Sequence, residues 1–271
     1  MAAAPGGENG RMLPVALQDS IDRFARSLEV PRRLASLHPR TSGNAGNYSA
    51  LPPAIVLGVI SAFEGFVEDF LATALHQRGY GLAQIAKRVS TNNPTVADFR
   101  RKCASEFPGS ATRLAHAPEV RVWNIPGIGG RPATETITFA EAEARADGWM
   151  QVRHCLTHGL VSGWRSEVWP GPLRGTTAAS SVLRPRPGGR HAIGLIGAIS
   201  CARVHLHGAR VIGDAVAADL GATVVWDALP EFPLERVTTD PTRPVRAPAR
   251  RSARRPGRGG GGTSTSGTAR S

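Results

Sequence analysis

One long apolar segment, residues 52–77, constrains the fold more than any other part of the chain. It begins with Pro52-Pro53, which suit the first turn of a helix, and Gly79 lies just past its end. Its apolar side chains recur at the spacing of one helix face: Val56, Val59, Ile60, Phe63, Val67, Phe70 and Leu71. Because so broad an apolar face must be covered by other elements, the segment predicts a helix inside a bundle.

A second long helix is predicted from Phe139 to His158, with Gly159 as its end. At 100° per residue, one stripe of this helix holds Ala142, Ala146, Trp149, Val152, Leu156 and Leu160. Arg153 falls inside that stripe, and an unpaired buried charge is costly, so the arginine needs an anionic partner. No acidic residue follows it within reach on the same helix. The partner is therefore a carboxylate on another helix, in a structural ion pair, or a ligand.

Glu64 is the carboxylate that best fits this requirement. It lies at the edge of the apolar face of segment 52–77, whereas Glu68 lies farther out. Glu64 is either a solvated flanking residue or the partner of Arg153.

The remaining pattern predicts further helices and a tail. The predicted helices span 14–37 with a break or kink at Pro31, 82–89, 96–107 and 190–220. Residues 108–137 are expected to be loops, and a short hairpin is expected near 178–183. We expect one helical domain over residues 13–229, between a flexible N-terminus (1–12) and a disordered tail (230–271).

Charge is concentrated in that tail. Residues 241–271 hold eight arginines and no acid, so eight of the twelve excess positive charges lie there. The tail is either a solubilising extension or a salt-sensitive contact with RNA that involves residues such as Arg250, Arg251, Arg254 and Arg255. A smaller basic cluster, Arg100, Arg101 and Lys102, is either a solvated helix face or the lining of a nucleic-acid groove.

Several classes of protein are disfavoured. The three cysteines form no C-x-x-C pair, which argues against a disulfide framework or zinc ribbon and fits a reducing cytoplasm. The i, i+4 pairs His154/His158 and Cys201/His205 lack further ligands at a suitable spacing, so no metal is expected. The Gly127-x-Gly129-Gly130 run lacks the context of a phosphate loop, and no cofactor is expected. We find no signal peptide and no apolar run long enough to span a membrane.

The end of the second helix resembles a known motif. Arg153-His154-Cys155-Leu156-Thr157-His158 resembles the Arg-x4-His motif of the HEPN superfamily of all-helical RNases and RNase-derived proteins, in which a polar residue follows the arginine. His154 occupies that position here, where Asn is commoner. The segment 61–70 also resembles the corresponding long helix of RiboL-PSP-HEPN proteins, and this resemblance favours Glu64 as the partner of Arg153. The resemblance implies an all-α, HEPN-like bundle of about four to six helices.

The resemblance also implies a chemistry. His158 would transfer protons, Arg153 would bind phosphate oxygens, and His154 would orient Arg153 or the substrate, in a metal-independent endoribonuclease that leaves 2′,3′-cyclic phosphates. On a regular helix Arg153 and His158 point about 140° apart, so either the helix end releases His158 or both line a wide cleft. HEPN proteins place two motif copies across a shared cleft, which implies a homodimer or a heterodimer with a related chain.

Three functions stay open on the sequence alone. The first is an RNase in phage defence, stress response or a toxin–antitoxin pair. The second is a non-catalytic HEPN module that binds RNA or a partner protein, such as an antitoxin or a nucleotidyltransferase. The third is a helical interaction protein in which Arg153 and His158 are structural. The presence of both motif residues favours the first over the second.

Overall fold

The protein is described from a computed structural model, which covers residues 16–42, 48–90, 93–124, 133–160, 167–173, 177–186, 188–235 and 238–239. Its helices are α1 (Leu17–Ser27), α2 (Glu29–Leu37), α3 (Leu51–Gln77), α4 (Leu82–Val89), α5 (Val96–Glu106), α6 (Pro108–Leu114), α7 (Phe139–Thr157) and α8 (Leu195–Asp219). Its short strands are β1 (Thr41–Ser42), β2 (Val120–Trp123), β3 (Thr134–Ile137), β4 (Pro185–Arg186), β5 (Arg190–His191) and β6 (Thr238–Thr239). The predicted all-α class is confirmed.

Helix α3 is the centre of the fold. It packs against α1, α2, α4, α5, α7 and α8. Its buried surface is wider than the predicted face and includes Ile55, Phe66 and Leu75 as well. Phe66 stacks on Phe24 of α1 with ring centroids 4.6 Å apart, so aromatic packing joins the first helix to the central one. A helix that is buried on most sides must lie inside its bundle, as the sequence predicts.

The predicted first helix, 14–37, is two helices that meet at Leu28. Pro31 causes the break but lies past it, in the first turn of α2. A proline has no N–H to donate, and its ring would clash with the carbonyl of Ser27 four residues earlier. The chain therefore turns before the proline, and Leu28 is completely buried at the junction.

The region 108–137, predicted as loops, contains regular structure. Pro108–Leu114 forms α6, with Pro108 in its first turn. Strands β2 and β3 pair antiparallel, with Val120 opposite Ile137. The Ser200 hydroxyl of α8 accepts a hydrogen bond from the Trp123 backbone N–H, so β2 is tied to the helical core. Four-residue strands are too short for alternating burial to stand out in a sequence that is rich in Gly and Pro.

Two further boundaries differ from the prediction. The hairpin lies at β4 and β5, whereas Ala179–Ser181, where it was predicted, is a turn of 3₁₀ helix. Helix α8 begins at Leu195, and residues 190–191, where the helix was predicted to start, form β5. The length and apolar character of this last helix are as predicted.

The packed chain extends past residue 229, where the tail was predicted to begin. Phe232 is 2% exposed and belongs to the main hydrophobic cluster. One aromatic side chain among prolines and acidic residues shows no periodicity, so the pattern could not place it in the core. Residues 1–15 and 240–271 lie outside the described part, and so do the predictions made for them.

Within the described ranges, none of the helices combines the length and the apolar character that crossing a bilayer requires.

Candidate functional site

The motif lies at the carboxyl end of α7, as predicted. The helix begins at Thr138, whose hydroxyl accepts a hydrogen bond from the Glu141 N–H while the Glu141 carboxylate accepts one from the Thr138 N–H. At the other end Gly159 has a φ of +65°, and the Leu160 N–H donates to the Cys155 carbonyl at 2.9 Å. This glycine-dependent cap ends the helix immediately after His158.

Arg153 is held by side chains from two other parts of the chain. Its Nη2 donates to Oε2 of Glu64 on α3 at 3.4 Å, and its Nη1 donates to Oδ1 of Asn93 at 2.9 Å. The side chains of Arg153 and Glu64 are 20% and 17% exposed. The predicted ion pair between them is confirmed. A guanidinium has five N–H groups, and these two contacts occupy only part of its donor capacity.

Glu64 is poorly compensated in this site. Its Oε1 is buried and has no hydrogen-bond partner among the described residues. Burial raises the pKa of Glu64, the positive charge of Arg153 lowers it in part, and the negative charge of Glu68 raises it again. The desolvation of the carboxylate therefore outweighs the attraction of the arginine.

The two histidines of the motif have different environments. His154 is 5% exposed, whereas His158 is exposed at the end of the helix. Their rings are nearly parallel, with centroids 6.1 Å apart. The buried ring of His154 therefore lies roughly parallel to the exposed ring of His158. The orientation of Arg153 or of a substrate by His154 stays a prediction. Neighbouring residues on a helix project in directions about 100° from one another, so the side chains of Arg153 and His154 leave α7 on different sides.

Asn93 is the residue of this site that sequence reasoning missed. It lies in the connection between α4 and α5, next to Pro94, and its φ is +52°. Asn is one of the few side chains that tolerate this left-handed backbone region. An Asn-Pro pair is typical of a turn, but no local signal in the sequence shows that this turn meets Arg153, sixty residues later in the chain.

Each residue of the cluster Arg100, Arg101 and Lys102 has a partner within the protein. Arg100 pairs with Glu143 on α7 at 2.6 Å, and Arg101 pairs with Asp98 at 3.0 Å. Lys102 Nζ donates to the backbone carbonyl of Arg88 at 2.7 Å. Consecutive helix residues project in different directions, and the Arg101 side chain stays 74% exposed despite its ion pair. The role of this cluster in RNA binding stays a prediction.

A groove of about 610 Å³ lies between α5, α6 and the start of α7. Glu143 lines it, ten residues before Arg153, which is about 15 Å along a helix. The groove is therefore remote from the motif. Among the described residues, no group of three or more His, Cys, Asp or Glu side chains is placed to hold a metal ion.

The pair Cys201 and His205, considered above as metal ligands, lies in the core. His205 Nδ1 is 2.8 Å from the Cys201 carbonyl oxygen, and its ring meets that of Phe63 edge-on. Complete burial lowers the pKa of His205 to about 4, although the hydrogen bond to Cys201 raises it slightly. These side chains belong to the packing of α8 against α3.

No protein-family model matches this chain, and neither a curated protein nor a solved structure matches it. The resemblance to HEPN proteins thus depends on residues 153–158, on segment 61–70 and on the helical fold.

Proposed function

We propose that this protein is a metal-independent endoribonuclease of the HEPN type. The observation that carries the proposal is that the last turns of α7 carry both an exposed His158 and, about one and a half turns earlier, Arg153, which Glu64 and Asn93 hold in place. A histidine can transfer protons and an arginine can stabilise negative charge on phosphate oxygens, and cleavage of a phosphodiester needs both functions.

The reaction would use the RNA's own 2′-hydroxyl as nucleophile. His158 accepts the proton of that hydroxyl, and the 2′-oxygen attacks the adjacent phosphorus. Arg153 donates hydrogen bonds to the phosphoryl oxygens as negative charge builds up on the phosphorane. The bond from phosphorus to the 5′-oxygen then breaks, and that oxygen takes a proton, which leaves a 2′,3′-cyclic phosphate and a 5′-hydroxyl.

One motif supplies one exposed histidine, His158, whereas the reaction needs a proton acceptor and a proton donor. A second copy of the chain, with its motif across a shared cleft, would supply the other group. We therefore include a dimer in the proposal, with RNA as substrate and an antitoxin or nucleotidyltransferase as a possible regulating partner. Such an enzyme would act in the cytoplasm, in phage defence, in the stress response or in a toxin–antitoxin pair.

One observation favours a non-catalytic HEPN module as the second candidate. Arg153 is only 20% exposed and is engaged by Glu64 and Asn93 inside the protein. Such contacts also fit an arginine whose role is to stabilise the fold. The protein would then be a module that binds RNA or a partner protein without cleaving RNA.

A cleavage assay on a mixed pool of single-stranded and structured RNA, with EDTA present, distinguishes the endoribonuclease from the non-catalytic module. Wild-type protein should produce 2′,3′-cyclic phosphate ends. His158→Ala should lower the rate by about 10²–10⁴-fold because the proton-transfer group is lost. Arg153→Ala should lower it to a similar extent through lost charge stabilisation. Thermal unfolding of Arg153→Ala tests separately for damage to the fold.

The matched control is His76→Ala, which removes an exposed histidine from the last turn of α3. It should cleave as wild type does. RNA binding without cleavage, together with no effect of His158→Ala, would contradict the enzyme and support the non-catalytic module.

A further inference from the structure

The connection between α4 and α5 is fixed at both ends. On the α4 side, Lys102 Nζ donates to the carbonyls of Arg88 and Ser90, at 2.7 and 3.3 Å. On the α5 side, the Thr95 hydroxyl accepts from the Asp98 N–H at 3.1 Å and donates to the Asp98 carboxylate at 2.9 Å. The backbone of Asn93 is thus anchored by neighbours before and after it.

From this connection Asn93 reaches α7. Its Oδ1 accepts from Arg153 Nη1 at 2.9 Å, which is shorter than the 3.4 Å contact between Arg153 and Glu64. A guanidinium with a single long contact to a carboxylate can still rotate about its last bonds. A second, shorter contact from a different direction fixes its plane.

The chemical identity of this second partner matters. A carboxylate there would give Arg153 two negative neighbours and cancel the charge that a phosphate needs. An amide oxygen accepts the same hydrogen bond and carries no net charge. Asn93 therefore orients the arginine and leaves its charge available.

We propose that Asn93 is a positioning residue, which sets the plane of the Arg153 guanidinium for a phosphate oxygen while keeping its net charge. This inference rests on the proposed nuclease function for its catalytic consequence. Its structural part, the restraint of Arg153, is independent of that function. Lys102 contributes by anchoring the connection.

Two substitutions at Asn93 separate orientation from charge. Asn93→Gly removes the amide, and glycine adopts a φ of +52° without strain, so the backbone is preserved. Asn93→Asp keeps an acceptor oxygen and also suits this backbone region, but it adds a negative charge beside Arg153.

The first measurement is made on the RNA-free full chain. The Nε–Hε signal of Arg153, assigned by its loss in Arg153→Lys, reports rotation of the guanidinium by NMR. This rotation should accelerate in Asn93→Gly and stay as in wild type in Asn93→Asp. Unchanged rotation in Asn93→Gly would overturn the proposal, whether or not the protein cleaves RNA.

The second measurement is steady-state cleavage. Asn93→Gly should lower kcat by about 10–100-fold with little change in KM, because a misoriented group loses rate more than binding. Asn93→Asp should instead raise KM and reduce the salt slope of RNA binding by about 0.7, the loss of one phosphate contact. A loosened guanidinium with unchanged kcat in Asn93→Gly would also overturn the proposal.

A pair of lysine variants completes the test. Lys102→Met removes the anchor of the connection and should increase Arg153 rotation. Lys87→Met removes the same charge from an exposed position on α4 and should not. If the wild-type protein fails to cleave any RNA, the proposed nuclease fails, and the NMR comparison still decides whether Asn93 holds Arg153.

Discussion

The guanidinium of Arg153 on α7 lies 3.4 Å from the carboxylate of Glu64 on α3. This distance is long for a charge-assisted hydrogen bond, which is usually about 2.7–2.9 Å. The other Glu64 oxygen is buried without a hydrogen-bond partner in the described part of the protein. The ion pair joins α3 to α7, but it compensates only part of the desolvation of the Glu64 carboxylate.

The first prediction concerns the pH dependence of this pair. Burial raises the pKa of Glu64 above its ordinary 4.5 in the folded protein. The native state therefore binds the proton of the Glu64 carboxyl more tightly than the unfolded state does. The contribution of this group to the free energy of unfolding is fully present below the ordinary pKa. It is lost as pH rises through the raised pKa. Relative to Glu64→Gln, the wild-type free energy of unfolding should fall as pH rises from 4 to 7.

Urea unfolding of both proteins across this range measures the difference, and all other titrating groups cancel. Glu119→Gln, at an exposed position just before β2, is the control and should show a constant difference. A wild-type protein that gains stability over Glu64→Gln with rising pH would show that the attraction of Arg153 dominates after all.

The pair Arg153–Glu64 could be predicted from the sequence, whereas Asn93 could not. An arginine inside an apolar stripe requires an anionic partner, and helical periodicity places Glu64 at the edge of the apolar face of segment 52–77. The resemblance of segment 61–70 to HEPN proteins then favours Glu64 over a ligand. No comparable rule of charge compensation requires a neutral hydrogen-bond acceptor such as Asn93 beside the arginine. The turn at Asn93-Pro94 was recognisable, but its distance from α7 depends on how α4 and α5 pack, which local sequence does not encode.

The second prediction concerns His205 in the core. Burial lowers its pKa from 6.5 to about 4, so between these values the unfolded state binds a proton that the native state does not. Stability from this group is complete above about pH 6.5 and decreases as pH falls toward 4. The loss amounts to about 3 kcal/mol at 1.36 kcal/mol per pKa unit.

His205→Gln should remove this part of the acid sensitivity, in addition to any constant change in stability. Denaturant unfolding from pH 7 to pH 4 measures it. His116→Gln, which replaces an exposed histidine, should keep the wild-type slope. Equal slopes in wild type and His205→Gln would mean that His205 is protonated without cost in the native state.

The third prediction compares two helical glycines. A Cβ added to Gly208 of α8 would lie 2.6 Å from a methyl carbon of Val96 on α5, and Val96 is 1% exposed. Gly208→Ala should therefore destabilise the fold by about 1–3 kcal/mol through overpacking. Gly65 on α3 is exposed and has no atom within 4 Å of such a Cβ. Gly65→Ala should stabilise the protein by about 0.5–1 kcal/mol.

Thermal or denaturant unfolding of the two variants measures the change in the free energy of unfolding. This change should have opposite signs at the two positions, although the substitution is the same. Equal effects would mean that α8 and α5 separate easily, and that their close contact at Gly208 contributes little.

The helical core was predictable because long helices repeat their apolar spacing many times. Segment 52–77 and α7 show this repetition clearly, and their predicted ends agree with the structure to within one or two residues. β2 and β3 were missed because four residues give only two alternations each. The break at Leu28 was displaced because a proline acts on the residue four positions before it.

The fourth prediction concerns the arginine-rich segment 241–271. Its eight arginines and absence of acids suit contacts with phosphates, which release counterions and carry no sequence information. Binding is measured on a His158→Ala background, so that the RNA stays intact, from low to high salt. Deleting 241–271 should lower affinity at low salt and flatten the salt dependence by roughly 0.7 for each lost phosphate contact. Replacing the eight arginines by serine at constant length should do the same, because charge and not chain length is responsible.

In the active protein, neither change should move the positions of cleavage, since these would be chosen at the motif on α7. A changed cleavage pattern would show that the segment reads sequence, and an unchanged salt slope would show that it does not touch the RNA.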